Sequence, residues 1–265
     1  MKNKIICGNC VDVMMGMSSQ SVDLTITSPP YGDNREYKGY DFDFYSIANG
    51  LYRITKEHGV VVWVVGDTTI NGSESGESFR QALYFKEIGF DLHDVMIYEK
   101  TNFSFPSTTR YHQIFEYIFI LSKGKPKFNP IKDRKNKWSG TCWGKNKHRQ
   151  KDGTFIETPK KEYAEYGMRT NIWRINCAKG FNSKDPEAHE HPAIFPEELA
   201  RDNIISWSDK NDVVLDCMAG SGTTGIVAHE LERDFILIDV SEAYCNLIKK
   251  RFKKRFNMDI DVIKS

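Results

Sequence analysis

The sequence has no apolar run able to cross a membrane. Its longest, VVVWVV at 60–65, is far shorter than the roughly 20 residues that a bilayer requires. The start, MKNKIICGNCVDVM, is basic but lacks the apolar stretch of a secretory signal. Cysteines are few: Cys7, Cys10, Cys142, Cys177, Cys217 and Cys245 in 265 residues. That is too sparse for a disulfide framework and suits a reducing compartment. These absences predict a cytoplasmic protein with no membrane partner. Charge of one sign is missing overall, because 37 basic residues face 36 acidic ones for a net of +1. There is no internal repeat. The pair Cys7-x-x-Cys10 has no second CxxC, and His189 and His191 are not spaced from it as in a zinc finger. No metal is expected.

What the chain does have is alternation. Short apolar runs read as buried strands at 4–7, 22–27, 59–67, 93–100, 115–123, 212–217 and 235–240. Helical spacing is found at 43–57, 78–89, 196–207, 223–233 and 241–255. Strands alternating with helices predict an α/β fold, a mostly parallel twisted sheet with helices on both faces. Trp63 and the valines around it belong to its core. Asp67, at a strand end, either lines a cleft or caps a turn.

The middle breaks this rhythm. From Leu121 to Lys161, thirteen basic residues oppose only Asp133, Asp152 and Glu157, a net of +10. The whole chain is +1, so the remainder carries about −9. Aromatic residues are interleaved with these charges. That mixture is the usual footprint of a nucleic-acid surface. Lys132, Arg134, Lys135, Lys137, Trp138, Trp143, Lys145, Lys147 and Arg149 are the expected DNA contacts. The chain therefore divides into 1–124, a basic insertion at 125–185, and 186–265.

Two stretches carry chemistry. In DVVLDCMAGSGTTGIVAHELERDFILIDV (212–240), a strand ends at Asp216 and Gly220, Gly222 and Gly225 follow with G-x-G-x-x-G spacing. A helix then begins near Thr223, and a second strand ends in Asp239. Glycines allow close backbone approach, the helix start offers free N–H groups, and the terminal acid suits a ribose diol. This is a nucleotide-binding βαβ unit. A dinucleotide and S-adenosylmethionine both fit the spacing. Asp216 beside the loop would repel a pyrophosphate and could receive an ammonium. In TITSPPYGDN (25–34), two successive prolines fix two φ angles and remove two N–H donors. Rigid carbonyls of that kind are costly as filler and useful as a site.

Together the stretches resemble the amino-directed DNA methyltransferases, which methylate an exocyclic amine of adenine or cytosine. TSPPY (27–31) is similar to the catalytic [DNS]-P-P-[YFW] motif, and VLDCMAGSGTT (214–224) to the cofactor motif VLDPF-x-GSGTT. HPAIFP (191–196) resembles the segment lining the methionine end of the cofactor. CGNCVDVM (7–14) resembles a GD-x-x-x-x-L element, with Asn9 where aspartate is common. Cys217-Met218 replaces the usual Pro-Phe. The catalytic motif precedes the cofactor motif, which is the circularly permuted β order.

The resemblance implies a Rossmann-like fold, S-adenosyl-L-methionine as cofactor and double-stranded DNA as substrate. It implies Ser28, Pro29, Pro30 and Tyr31 as the catalytic corner. Ser28 Oγ and the Pro29 carbonyl would accept from the target amine, and Tyr31 would stack on the flipped base. It implies Asn9, His191, Phe195, Pro196, Asp216, Met218, Gly220, Ser221, Gly222, Thr223, Thr224 and Asp239 at the cofactor. TSPPY with HPAIFP leans toward cytosine N4, with adenine N6 as the alternative. A homodimer and a cognate restriction endonuclease are further expected partners. Methylation at a cytosine ring carbon needs a thiolate, typically in Pro-Cys, and no Pro-Cys pair exists. An NAD-dependent oxidoreductase would leave TSPPY and the basic stretch unexplained. An intact TSPPY argues against a non-catalytic DNA-binding protein.

Overall fold

The computed structural model describes residues 2–30, 42–102, 108–141, 146–158, 162–178 and 180–265. Tyr31, Trp143 and Lys145 lie outside the described residues. The chain forms two compact units, one of Met1–Asn129 with Asn171–Ser265 and one of Pro130–Thr170. No helix among the described residues is long and apolar enough to cross a membrane.

Among the described residues, nine strands of the larger unit form its main sheet. They are β1 (Lys4–Cys7), β2 (Val22–Thr27), β3 (Thr55–Val65), β4 (Asp91–Lys100), β5 (Phe115–Ser122), β6 (Ile172–Ile175), β7 (Val213–Asp216), β8 (Asp234–Asp239) and β9 (Val262–Lys264). They form one sheet in the order β6-β4-β5-β3-β2-β7-β8-β1-β9. Only β5 runs against the rest, pairing antiparallel with β3 and β4. Among the described residues, six helices cover the sheet: α1 (Cys10–Met15), α2 (Phe44–Ile54), α3 (Glu77–Glu87), α4 (Glu197–Trp207), α5 (Thr223–Glu230) and α6 (Glu242–Phe256).

The second half of β3, Val60–Val65, shows why its sequence is an unbroken apolar run. Successive side chains of a strand point to opposite faces. Val60, Val62 and Val64 join the core with Leu199, Ile204, Ile226 and Phe252 of α4, α5 and α6. Val61, Trp63 and Val65 join the other core with Met14, Leu51 and Phe85 of α1, α2 and α3. Both faces are covered, so no position of the run can be polar. Trp63 is fully buried, and its Nε1 donates to Gln81 Oε1 at 2.8 Å.

The helix expected over 43–57 stops at Ile54, and Thr55 already belongs to β3. Thr55 pairs in register with Val22, and its Oγ1 donates to Leu51 O at 2.6 Å. That local bond closes the helix, and the β-branched residue suits the strand. Residues 125–129 and 171–185 of the expected insertion also differ from expectation. They fall in the larger unit, where β6, within 171–185, pairs parallel with β4.

The smaller unit is a set of turns and short pairs. Asn146–Arg149 pairs antiparallel with Phe155–Thr158, and Arg134–Lys135 with Tyr166–Gly167. Arg169 bonds Asp133, and Arg134 Nε donates to Met168 O at 3.1 Å. None of its described side chains is buried. Trp138, Phe155, Ile156 and Met168 are each more than half exposed.

Candidate active site

Strand order defines a crevice. After β2 the chain continues to β3 on one side, and after β7 it continues to β8 on the other. In open α/β sheets ligands bind where the order reverses, beyond the carboxyl ends of the strands. Here those ends carry Ser28-Pro29-Pro30 after β2 and the glycine loop after β7. The two strands are direct neighbours, pairing Leu24 with Val214 and Thr25 with Leu215. A buried bond ties the two ends, from Thr27 Oγ1 to Asp216 Oδ1 at 2.9 Å. The structure thus brings together stretches far apart in the chain.

Asp216 is 5% exposed and satisfied by the protein itself. Oδ1 also accepts from Met218 N at 3.2 Å, and Oδ2 accepts from Thr224 Oγ1 at 2.7 Å. Burial pushes its pKa up to about 6, against the pull of the bonds from Thr224, Thr27 and Met218. The carboxylate therefore braces the loop from beneath. Met218 packs its partly buried side chain on the α1–α3 core.

The loop itself turns on glycine. Gly220 has φ of +50°, and a Cβ there would come within 2.9 Å of His191 Nε2. Its N–H donates to Asp239 Oδ2 at 2.7 Å, while Asp239 Oδ1 accepts from Ser241 N at 2.8 Å. Gly225 packs so closely on β8 that a Cβ would lie 2.4 Å from Leu237 Cδ1. Gly222 is the N-cap of α5, and Thr223 and Thr224 open that helix, both buried. Ser221 Oγ lies 3.3 Å from Thr223 Oγ1.

His191 covers the loop. Its ring is nearly buried, sits 4.4 Å from the Tyr244 ring, and its Nδ1 lies 2.8 Å from Ala193 O. Pro196 is the N-cap of α4, and Phe195 packs on the α4–α6 core. Asn9 caps α1, its Oδ1 accepting from Val11 N at 2.8 Å. It follows β1, whose last residue, Cys7, pairs with Asp239. Asp67 accepts from Ser75 Oγ and Ser78 N at 2.8 and 3.1 Å, so it caps the start of α3.

The electrostatics choose between cofactor classes. Two carboxylates, Asp216 and Asp239, flank the loop, and Asp239 already takes the Gly220 N–H that a phosphate loop would offer to its anion. The nearby guanidinium of Arg251 is occupied by Ser221 O and Asp185. A pyrophosphate would meet negative charge there, whereas a cofactor carrying a sulfonium and an ammonium would be attracted.

Residues 22–250 match the family described as DNA methylase, N6_N4_Mtase. The chain belongs to this family. The methyltransferase is 54% identical over 236 residues to the orphan methyltransferase M.BamHII of Bacillus amyloliquefaciens, covering 88% of this chain and 89% of that one. It is 27% identical to the Type II methyltransferase M.SmaI of Serratia marcescens, over 95% and 91% of the two chains. Its fold matches the PvuII DNA methyltransferase, named as cytosine-N4-specific, with a TM-score of 0.70 and 20% identity, over 95% and 86% of the chains. It also matches TTHA0409, a DNA modification methylase of Thermus thermophilus solved with S-adenosyl-L-methionine, with a TM-score of 0.66 and 22% identity, over 99% and 98%.

One feature of the methyltransferase's site escapes the motifs. Arg251, Arg255 and Arg201 interlock with Asp185, Glu197 and Glu230 beside the loop. Burial would raise the pKa of Glu197. Bonds from Arg255, Ser183 and the Lys184 N–H prevail and hold it at about 2. A signal was available in the sequence, since Arg251 interrupts the buried stripe of α6 that holds Cys245, Ile248 and Phe252.

Proposed function

We propose that this methyltransferase moves a methyl group from S-adenosyl-L-methionine to N4 of a cytosine turned out of duplex DNA. The observation that carries the reading is the Thr27–Asp216 bond, which joins the Ser28-Pro29-Pro30 corner to the glycine loop. The cofactor supplies an electrophilic methyl group. Gly220, Ser221, Gly222, Thr223 and Thr224 would hold it, with Met218, His191, Phe195 and Pro196 around it. Asp239 would hold its ribose diol, and Asn9, which follows the neighbouring strand β1, would complete its surroundings. Asp216 keeps the loop in place.

The amine of a base is a poor nucleophile because its lone pair is delocalised into the ring. Ser28 Oγ and the Pro29 carbonyl accept its two N–H groups and draw the nitrogen toward tetrahedral geometry. Proline rigidity holds that carbonyl before the reaction begins, when an acceptor is most effective. Tyr31 stacks on the extruded base. Ser28 is no carboxylate, so the proton leaves to solvent after transfer. The exposed, basic Pro130–Thr170 unit binds the phosphate backbone through Lys132, Arg134, Lys135, Lys137, Lys147 and Arg149, with Trp138 beside them, and the sequence pattern adds Trp143 and Lys145, which lie outside the described residues.

Cytosine N4 is favoured by TSPPY and by the specificity named for the PvuII enzyme. Mass spectrometry of nucleosides from DNA treated with the protein and cofactor tests it. N4-methylcytosine is expected, and N6-methyladenine alone would reverse the choice of base. Of the two relatives described, the one with higher identity is named an orphan, which favours action without a paired endonuclease. A second copy of the chain is the remaining partner, and light scattering of the pure protein tests it.

A further inference from the structure

We propose that Arg251 is a positioning residue for the cofactor, its guanidinium fixing the glycine loop against the segment that leads to His191. The proposal rests on the reading that this loop holds S-adenosyl-L-methionine. Arg251 is fully buried on α6. Nη1 donates to Ser221 O and to Thr223 Oγ1 at 3.3 Å. Nη2 donates to Ser183 Oγ at 3.3 Å and Asp185 Oδ2 at 2.9 Å, and Nε donates to Asp185 Oδ2 at 3.1 Å. One planar fork thus joins the loop to residues 183–185. Packing alone does not call for it, because apolar side chains commonly replace buried ion pairs without loss of stability.

The clamp closes a ring around the site. From Asp185 a single turn, Pro186–Glu190, leads to His191. The His191 ring lies on Gly220 and against Tyr244, which is on the same helix as Arg251. One turn further on, Arg255 bonds Asp185 and Glu197, so the acid that orients Arg251 is itself held. Both ends of the loop's cover are therefore referenced to α6: one through Arg251 and Asp185, the other through Tyr244 and His191. A lysine has the charge but not the fork, and cannot span Ser221 O and Asp185 in one plane.

The test compares Arg251→Lys, Asp185→Asn and, as reference, Asp239→Ala with the wild type. Cofactor affinity is measured by isothermal titration, amide exchange of 220–224 without cofactor, and steady-state rates against cofactor and DNA separately. Arg251→Lys should weaken cofactor binding and raise its KM about tenfold, and should speed exchange in the loop. Asp185→Asn should do the same to a smaller degree, about threefold. The kcat at saturating cofactor and the KM for DNA should stay within about twofold. Cofactor affinity unchanged in Arg251→Lys and Asp185→Asn, but weakened in Asp239→Ala, would overturn the role of Arg251. Affinity unchanged in all three would instead overturn the cofactor reading. A matching rise in both KM values with a fall in kcat would make Arg251 a residue of the fold only, and so also overturn the proposal.

Discussion

The two units differ in what their side chains do. The larger one buries Trp63, Phe85, Phe252 and even Arg251 completely. The smaller one, Pro130–Thr170, buries none of its described side chains. Its Lys132, Lys135, Lys137, Arg149 and Lys151 form no salt bridge among the described residues, whereas Arg251 and Arg255 are fully paired inside the larger unit. Buried charge serves geometry and costs desolvation, while exposed and unneutralised charge serves attraction. Chemistry and cofactor binding should therefore depend on the larger unit, and DNA affinity on the smaller.

Substitutions can break or sharpen that division. The largest effect is expected from Ser28→Ala, which should lower kcat about 100-fold while leaving cofactor affinity nearly intact. Titration calorimetry beside single-turnover kinetics checks it, and equal losses in both would contradict the division of roles. Next is acid stability. The Glu197 pKa in the folded state lies below its unfolded value, so its contribution is present above about pH 4.5 and is lost as pH falls toward 2. Glu197→Gln should remove ~3 kcal/mol of stability at neutral pH and flatten the acid limb in denaturant melts between those limits. An unaltered limb would show that the arginine cluster does not hold the larger unit.

Asp239→Ala comes third. It removes the acceptor of Gly220 N and Ser241 N, and should weaken cofactor binding about 10-fold. Unchanged affinity would take Asp239 out of the site. The smallest change per residue is expected on the basic face. Alanine at Lys132, Lys135 and Arg149 together should reduce DNA affinity, lower the salt slope by about 0.9 per lost contact, and leave the melting temperature unmoved. A slope that stays put would assign DNA binding elsewhere, and a large fall in melting temperature would erase the contrast between the units.

Much of this was legible in the residues. The strands under two layers of helix read as continuous apolar runs because both faces are covered. The TSPPY and GSGTT stretches are local patterns, and strand neighbours bring them together. Other features depend on tertiary contacts. The helix at 43–57 is cut short by the pairing of Thr55 with Val22. Strands β6 and β9 and helix α1 are too short for periodicity to show. The partners of Arg251, at 183, 185, 221 and 223, are scattered in sequence and meet only in the fold.

The sheet interleaves the chain. Strand β1 has both its neighbours, β8 and β9, on the far side of the interruption at 130–170, while β6 completes the opposite edge beside β4. A ribosome makes β1 long before either of its partners, β8 and β9. During synthesis the nascent β1 must wait, unpaired, for more than two hundred residues, and loop-closure entropy makes such distant pairing slow. Translation and pairing are thus far apart in time for this strand, and a stalled chain would expose it to other apolar surfaces in the cell.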